Sequence, residues 1–363
     1  MRNYCLAALF LIGIAGSSTS FGFGHIEDRD FASLWLAGRG VLSGVDIYDT
    51  DVLRAFGHQL LKLGPPYNAT YPPHALFLFV PFSLLPLTAA FVTWGLFSAA
   101  LFYWAAKPLM PSGFPAILST LTPAALINLN FGQTGLVAAA LFLFAFRGSG
   151  IAAAMLTFKP QMGLLVLPSL LSDRKALVTA ILATAVLLLC SAFLFANWEE
   201  FLIHVQEFQG RRLVDGSESV WVLLGVTPMI GYGLWGWLLF AIGATYFLAR
   251  NFNVFTAATA TFLISPYGFH YDMAAACLGF AILLFSYWDL MPMWHKATAS
   301  LAFLAPVIVG FGTWLVPPIL LVGLMVQSEW MEGHRLRRIG HSLRAEKVGR
   351  RPEGLPATQS AAE

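Results

Sequence analysis

The chain has 363 residues, 58% of them hydrophobic and only 11% charged, against roughly a quarter charged in an average soluble domain. Water is thereby excluded as its main solvent, and the net charge of +2 carries no signature of a nucleic-acid partner. Cys5, Cys190 and Cys277 are odd in number and far apart in apolar runs, which fits packing residues and neither a disulfide framework nor a metal site.

The first apolar run, 4–23, is uncharged for about 20 residues, enough for one span. Arg2 ahead of it and GSSTS behind a short core also fit a cleaved signal peptide; the uncleaved span is preferred. A loop over 24–74 follows, too charged to span. Apolar density returns over 75–106, closed by Lys107. Residues 114–129 run into the turn NLNFGQTG, and 136–146 stop at Arg147.

Residues 150–171 are long enough to cross once, but Lys159 and Pro160 fall at their centre, and Arg147 and Arg174 would then lie on opposite sides. Two half-helices meeting at FKPQ remove both problems, so this segment is expected to enter, turn and return. Non-helical backbone at that depth must be buried in protein or line a wet cavity. Residues 176–196 cross to a second external loop, 197–220, and 223–249 return, closed by Arg250. Residues 255–264 lead to SPYGFHYD, 273–285 come back to WDLMPMWHK, and 297–327, interrupted by Pro317 and Pro318, are expected as two short spans. The fold class is therefore an all-α polytopic integral membrane protein of about 9–11 transmembrane or half-membrane helices. One membrane domain covers 1–330, and a basic tail, 331–363, is expected to be cytoplasmic and disordered.

Charge supports this topology. Lys107, Arg147, Arg174, Lys175, Arg250 and Lys296 share one face with Arg2 and the tail, which makes that face the cytoplasm. The opposite face receives the first loop, with six acids and four bases, and the second, with five acids and two bases.

Under this topology the first loop, NLNFGQTG, FKPQ and SPYGFHYD converge on the outer face, bringing Asp28, Asp30, Gln133, Lys159, His270 and Asp272 to one membrane boundary. A carboxylate held there at Asp28 or Asp30 gains proton affinity from burial and suits a general base acting on a hydroxyl nucleophile. Lys159, Arg29, Arg39 and His270 supply cations for a phosphate leaving group; for Arg29 and Arg39, structural ion pairs with the same acids are the alternative. Asp46, Asp49 and Asp51 are expected as solvated loop carboxylates. In YPPH the prolines start a helix, and Tyr71 either joins that corner or stacks on a sugar ring. Trp35, Tyr48 and Trp221 are expected as interfacial anchors. No HExxH, GxSxG, Walker loop or paired CxxC is present, so metalloprotease, serine hydrolase, nucleotide-driven pump and zinc readings lack their residues.

The ordered segments DFASLWLAGRGVLSGVDIYD, YPPHALFLFVPFSLLP, NFGQTG, FKPQMGLLVLPSLL and SPYGFHYD resemble glycosyltransferase family 87, bacterial membrane proteins of the GT-C fold, over about residues 21–290. The resemblance implies an inverting hexosyltransferase that takes a sugar, mannose in characterised members, from a polyprenyl-phosphate carrier on the outer leaflet. It implies a catalytic aspartate in the first external loop, which maps onto Asp30, with Asp28 second. Lys159 would lie near the carrier phosphate, and His270 and Asp272 at the cavity rim; Gln133, Arg29, Arg39 and Tyr71 are expected as further substrate contacts from their own chemistry and position, apart from the resemblance. The expected partners are membrane lipid, the polyprenyl-phosphate sugar donor and a glycolipid or glycan acceptor. No cofactor beyond the donor is implied, and a divalent metal stays open. The expected location is a bacterial inner membrane with the active site periplasmic or extracellular. The other function class is a transporter or flippase of lipid-linked sugars, in which the same polar pocket moves its ligand unreacted.

Overall fold

The computed structural model describes residues 2–19, 25–61, 69–195, 197–205 and 225–331. Most of the second external loop, Trp221 and the basic tail from 332 onward lie outside these described residues. Regular structure among the described residues is helical, apart from one isolated bridge between Gly225 and Phe269. The chain is an all-α polytopic membrane protein.

Helix α1 (Arg2–Thr19) is followed by α2 (Asp30–Leu42) and α3 (Thr50–Leu61), then by α4 (Leu76–Ser83) and α5 (Leu87–Ala106). Next come α6 (Pro123–Phe131) and α7 (Gly135–Phe146), and the broken stretch of α8 (Gly150–Met155), α9 (Pro160–Gly163) and α10 (Leu167–Leu171). Helices α11 (Arg174–Phe195), α12 (Pro228–Arg250), α13 (Val254–Ile264), α14 (Ala274–Tyr287) and α15 (Met293–Ile308) precede the last, α16 (Thr313–Met331). Among the described residues, five helices are long and apolar enough to cross a bilayer: those built on α5, α11, α12, α15 and α16. Six shorter apolar helices accompany them.

Burial sorts these helices into layers. Along α7 and α14 nearly every side chain is buried, and both are rich in alanine, whose small size lets backbones approach closely where lipid supplies no hydrophobic drive. Gly150 meets the backbone of Ala176 and Ala180 on α11, the same device at the mouth of the broken stretch. By contrast α11 and α12 expose Leu182, Leu189, Phe193, Trp235, Leu239 and Ile242. A helix apolar on its exposed side is solvated by hydrocarbon.

One end of the bundle gathers a set of basic residues, Lys107, Arg147, Arg174 and Arg250. Arg147 donates from Nη1 to the Ala105 carbonyl at 3.3 Å, Ser169 Oγ donates to the Phe146 carbonyl at 3.0 Å, and Asn251 Nδ2 donates to the Ser328 carbonyl at 3.0 Å. The rings of Phe146 and Phe252 lie 5.3 Å apart. These contacts tie the ends of α5, α7, α10, α12 and α16 together, beside Lys107, Arg147, Arg174 and Arg250. Helix α7 has twelve residues, so its other end lies about 17 Å distant at 1.5 Å per residue.

The stretch 150–171 is re-entrant. It leaves the basic end at Gly150, runs through α8 and a 3₁₀ turn at Leu156–Phe158, and reverses at Lys159 (φ −137°, ψ 67°). Pro160 then opens α9, where its missing N–H is harmless. The chain returns so that Ser169 again touches Phe146.

Several expectations are corrected. The loop 24–74 contains the buried helix α2, with Phe31, Leu34, Trp35 and Leu36 among its covered residues, because FASLWLAG carries apolar side chains on most of its circumference. Trp35 and Tyr48 are buried and not interfacial anchors: Trp35 Nε1 donates to the Leu85 carbonyl at 2.9 Å, and the Tyr48 hydroxyl to the Tyr71 carbonyl at 2.8 Å. The break in 297–327 falls at Val309–Gly312, where Gly312 has φ +145°. Pro317 and Pro318 instead lie in the first turns of α16, and both helices are 19-residue candidate spans. Cys277 is buried and Cys5 half-buried, whereas Cys190 is exposed on α11.

Candidate functional site

Asp30 is the first residue of α2, where the helix dipole favours a negative charge. The next residue, Phe31, is 2% exposed and fixes this helix start, its ring 5.7 Å from Phe91 and 6.1 Å from Trp94. The turn NFGQTG lies directly against it. Gly132 closes α6 in the left-handed conformation (φ +65°), and a Cβ there would meet Phe31 Cβ at 2.5 Å. Only glycine meets both demands. Trp94 Nε1 donates to the Gln133 carbonyl at 3.3 Å, so one tryptophan braces both α2 and the turn.

From this turn a chain of polar contacts crosses the bundle. Gln133 Nε2 donates to Asp30 Oδ2 at 2.8 Å. The Tyr71 hydroxyl donates to Gln133 Oε1 at 3.3 Å and lies 2.7 Å from Thr134 Oγ1. Lys159 Nζ donates to Thr134 Oγ1 at 3.3 Å and to Asp272 Oδ1 at 2.6 Å. The ammonium also sits 5.9 Å from the Tyr71 ring centroid and 5.3 Å from that of Tyr271. Gly135 makes the approach possible, since a Cβ there would collide with the Tyr271 carbonyl and meet Asp272 Oδ1 at 3.0 Å.

Lys159 and Asp272 are both buried, so each charge is paid for chiefly by the other. Asp30 is half-buried. Burial raises its carboxyl above the usual range, against the Gln133 hydrogen bond and the Lys159 charge, which lower it. Burial likewise pushes the Tyr71 hydroxyl up, which keeps it a donor at physiological pH.

Five of the residues expected at the site are thus joined: Asp30, Gln133, Tyr71, Lys159 and Asp272. His270 is buried beside them, edge-on to Phe131 at 6.3 Å. Arg29 reaches the same turn, donating from Nη1 to Asn130 Oδ1 at 2.7 Å. Two residues are not brought in. Asp28 is exposed at the end of a 3₁₀ turn, Ile26–Asp28. Arg39 stands nine residues along α2, about 13 Å from Asp30, with its guanidinium 5.3 Å from the Trp35 ring. Tyr71 packs its ring edge-on to Phe79 at 5.5 Å, so it belongs to the corner and its hydroxyl to the network.

Thr134 escaped sequence reasoning, although its hydroxyl joins Tyr71 to Lys159. Its one signal was its place between Gln133 and Gly135 at the start of α7. Asp46 and Asp49 act as local caps: Asp46 Oδ1 accepts from the Tyr48 amide at 3.0 Å, and Asp49 Oδ1 from the Asp51 amide at 2.9 Å. Among the described residues, no group of three or more His, Cys, Asp or Glu side chains is arranged to hold a metal ion.

The family model of glycosyltransferase family 87 matches residues 69–286, more than half of the chain. The matched stretch holds Tyr71, Gln133, Lys159, His270 and Asp272 and begins after Asp30. No curated protein and no solved structure matches the chain.

Proposed function

Because the chain belongs to glycosyltransferase family 87 and is a membrane glycosyltransferase, we propose that it transfers a hexose, mannose by the family resemblance, from a polyprenyl-phosphate carrier. The acceptor is a hydroxyl of an envelope glycolipid or glycan. The reaction runs at the non-cytoplasmic face of a bacterial inner membrane, with the basic end of the GT-C-like bundle and the tail 331–363 in the cytoplasm. Positive residues retained on that side support this orientation.

The observation that carries the reading is the buried polar chain that ends on Asp30, at the end of the bundle opposite the basic residues. Asp30 takes the proton from the acceptor hydroxyl. The oxygen bonds to the anomeric carbon from the side opposite the carrier, and the electrons of the breaking C–O bond leave with the phosphate, so the configuration inverts. A carboxylate with raised proton affinity is the better general base near neutral pH. Arg29 and His270, at the same turn, face the departing phosphate, while Lys159 contributes its field from behind, its ammonium held on Asp272. A donor delivered by a lipid needs no nucleotide-binding fold. Family membership favours transfer over the transporter or flippase alternative.

The test is transfer by purified protein from polyprenyl-phosphate-mannose to an envelope-lipid acceptor extract. Asp30→Asn is expected to lower turnover by about 10²–10⁴-fold, the span of general-base catalysis. Wild-type activity should fall as pH drops through the raised Asp30 value, because only the ionised carboxylate accepts a proton. Full turnover in the variant would remove Asp30 from this role.

A further inference from the structure

We infer that Gln133 is the positioning residue of the Asp30 carboxylate and not a substrate ligand: its amide holds Asp30 Oδ2, and is itself fixed through Tyr71 and Thr134 by the Lys159–Asp272 pair. The catalytic meaning of this rests on the reading of Asp30 as the base.

The argument is one of donor and acceptor inventory. An ammonium has only donors and an ionised carboxylate only acceptors. Lys159 therefore donates to Thr134 Oγ1. The single Tyr71 proton goes to Gln133 Oε1, so across the 2.7 Å contact the Thr134 hydroxyl is the donor and the Tyr71 oxygen the acceptor. With its oxygen committed to Tyr71 and to the Thr134 amide at 3.3 Å, Gln133 turns its nitrogen to Asp30. Rotating the amide by half a turn would set its oxygen against the carboxylate and its nitrogen against the hydroxyl hydrogen, losing both bonds. Every proton in the chain thus points from Lys159 toward Asp30, and aligned hydrogen bonds of this kind polarise one another. Oδ2 of the Asp30 carboxylate is held by this bond, and in the proposed reaction Oδ1 meets the acceptor hydroxyl.

The groups that bear on Asp30 come from four elements. They are Gln133 in the turn before α7, Tyr71 ahead of α4, Lys159 at the re-entrant apex, and Tyr271 in the turn between α13 and α14, with Arg29 its neighbour in the chain and Asp272 paired to Lys159. Among the described residues, Gln133 is an uncharged side chain that donates a hydrogen bond directly to the carboxylate.

The test uses the full chain in detergent and two variants. Gln133→Met keeps length and removes the donor; Tyr71→Phe keeps Gln133 and removes the contact that orients it. Modification of Asp30 by a hydrophobic carbodiimide, which reacts with the protonated carboxyl, is followed by mass spectrometry against pH. The midpoint is expected to rise by about one to two pH units in Gln133→Met, the size of a lost hydrogen bond to a charged group. Tyr71→Phe should move it in the same direction by less. In the transfer assay Gln133→Met should lower kcat by about ten- to a hundredfold, leave the donor KM nearly unchanged, and move the acid limb to higher pH. An unchanged midpoint and acid limb would overturn the inference, and Tyr71→Phe decides it if Gln133→Met does not fold. Full turnover in Asp30→Asn would instead overturn the base reading, while the carbodiimide midpoint would still report whether Gln133 holds Asp30.

Discussion

Lys159 and Asp272 stand 113 residues apart in sequence and 2.6 Å apart in space. Neither could be buried alone, because an isolated charge in a low-dielectric interior costs several kcal/mol even after relaxation. Removing one partner is therefore worse than removing both. Asp272→Asn is expected to destabilise the protein by about 3–5 kcal/mol, whereas Lys159→Met combined with Asp272→Leu should recover much of that loss. Thermal unfolding in detergent compares the two, and a double variant no more stable than the single would contradict the pairing. The sequence placed Lys159 and Asp272 at the same boundary because each sits at a break in an apolar run. That they neutralise each other was not legible: residue types reveal which side chains are costly to bury but not which two are brought into contact.

At the scale of elements, the unit that builds the site is α6, the turn NFGQTG and α7. Its two glycines differ in kind. Gly132 is needed for its backbone angle, and Gly135 for the space that the Tyr271 carbonyl and Asp272 occupy. Gly135→Ala is accordingly expected to cost about 1–3 kcal/mol by overpacking and to loosen the Lys159–Asp272 contact. Gly95→Ala on α5, whose added methyl would meet only Leu129 Cδ2 at 3.7 Å, should be nearly neutral. Unfolding midpoints of the two variants check the contrast. Pro160 and Lys159 made the re-entrant break readable, since a helix-breaking residue and a charge coincide at its apex. The same logic misplaced the break between α15 and α16: Pro317 and Pro318 lie where a helix begins and tolerates proline, while Gly312 supplies the turn.

Across the whole molecule, the polar chain occupies one end of the bundle and the basic residues the other, about the length of α7 apart. Cysteines placed singly in a cysteine-free background should report this in intact cells. Asp51→Cys, whose native side chain is 90% exposed beyond the site end, is expected to react with a membrane-impermeant maleimide from outside. Ser172→Cys, exposed at the basic end, is expected to react only after permeabilisation. Labelling of both from one side would overturn the two-ended arrangement. The solvent, the helical class, the re-entrant segment and the separation of charge were all legible in the chain, because they follow from where apolar runs are long enough for a bilayer and where charges interrupt them. The burial of α2, the stay of Arg39 beside Trp35, and the route to Asp30 through Gln133, Tyr71 and Thr134 came from packing. Those outcomes depend on which helices become neighbours, and hydrogen bonds between distant segments leave no periodic trace in the chain.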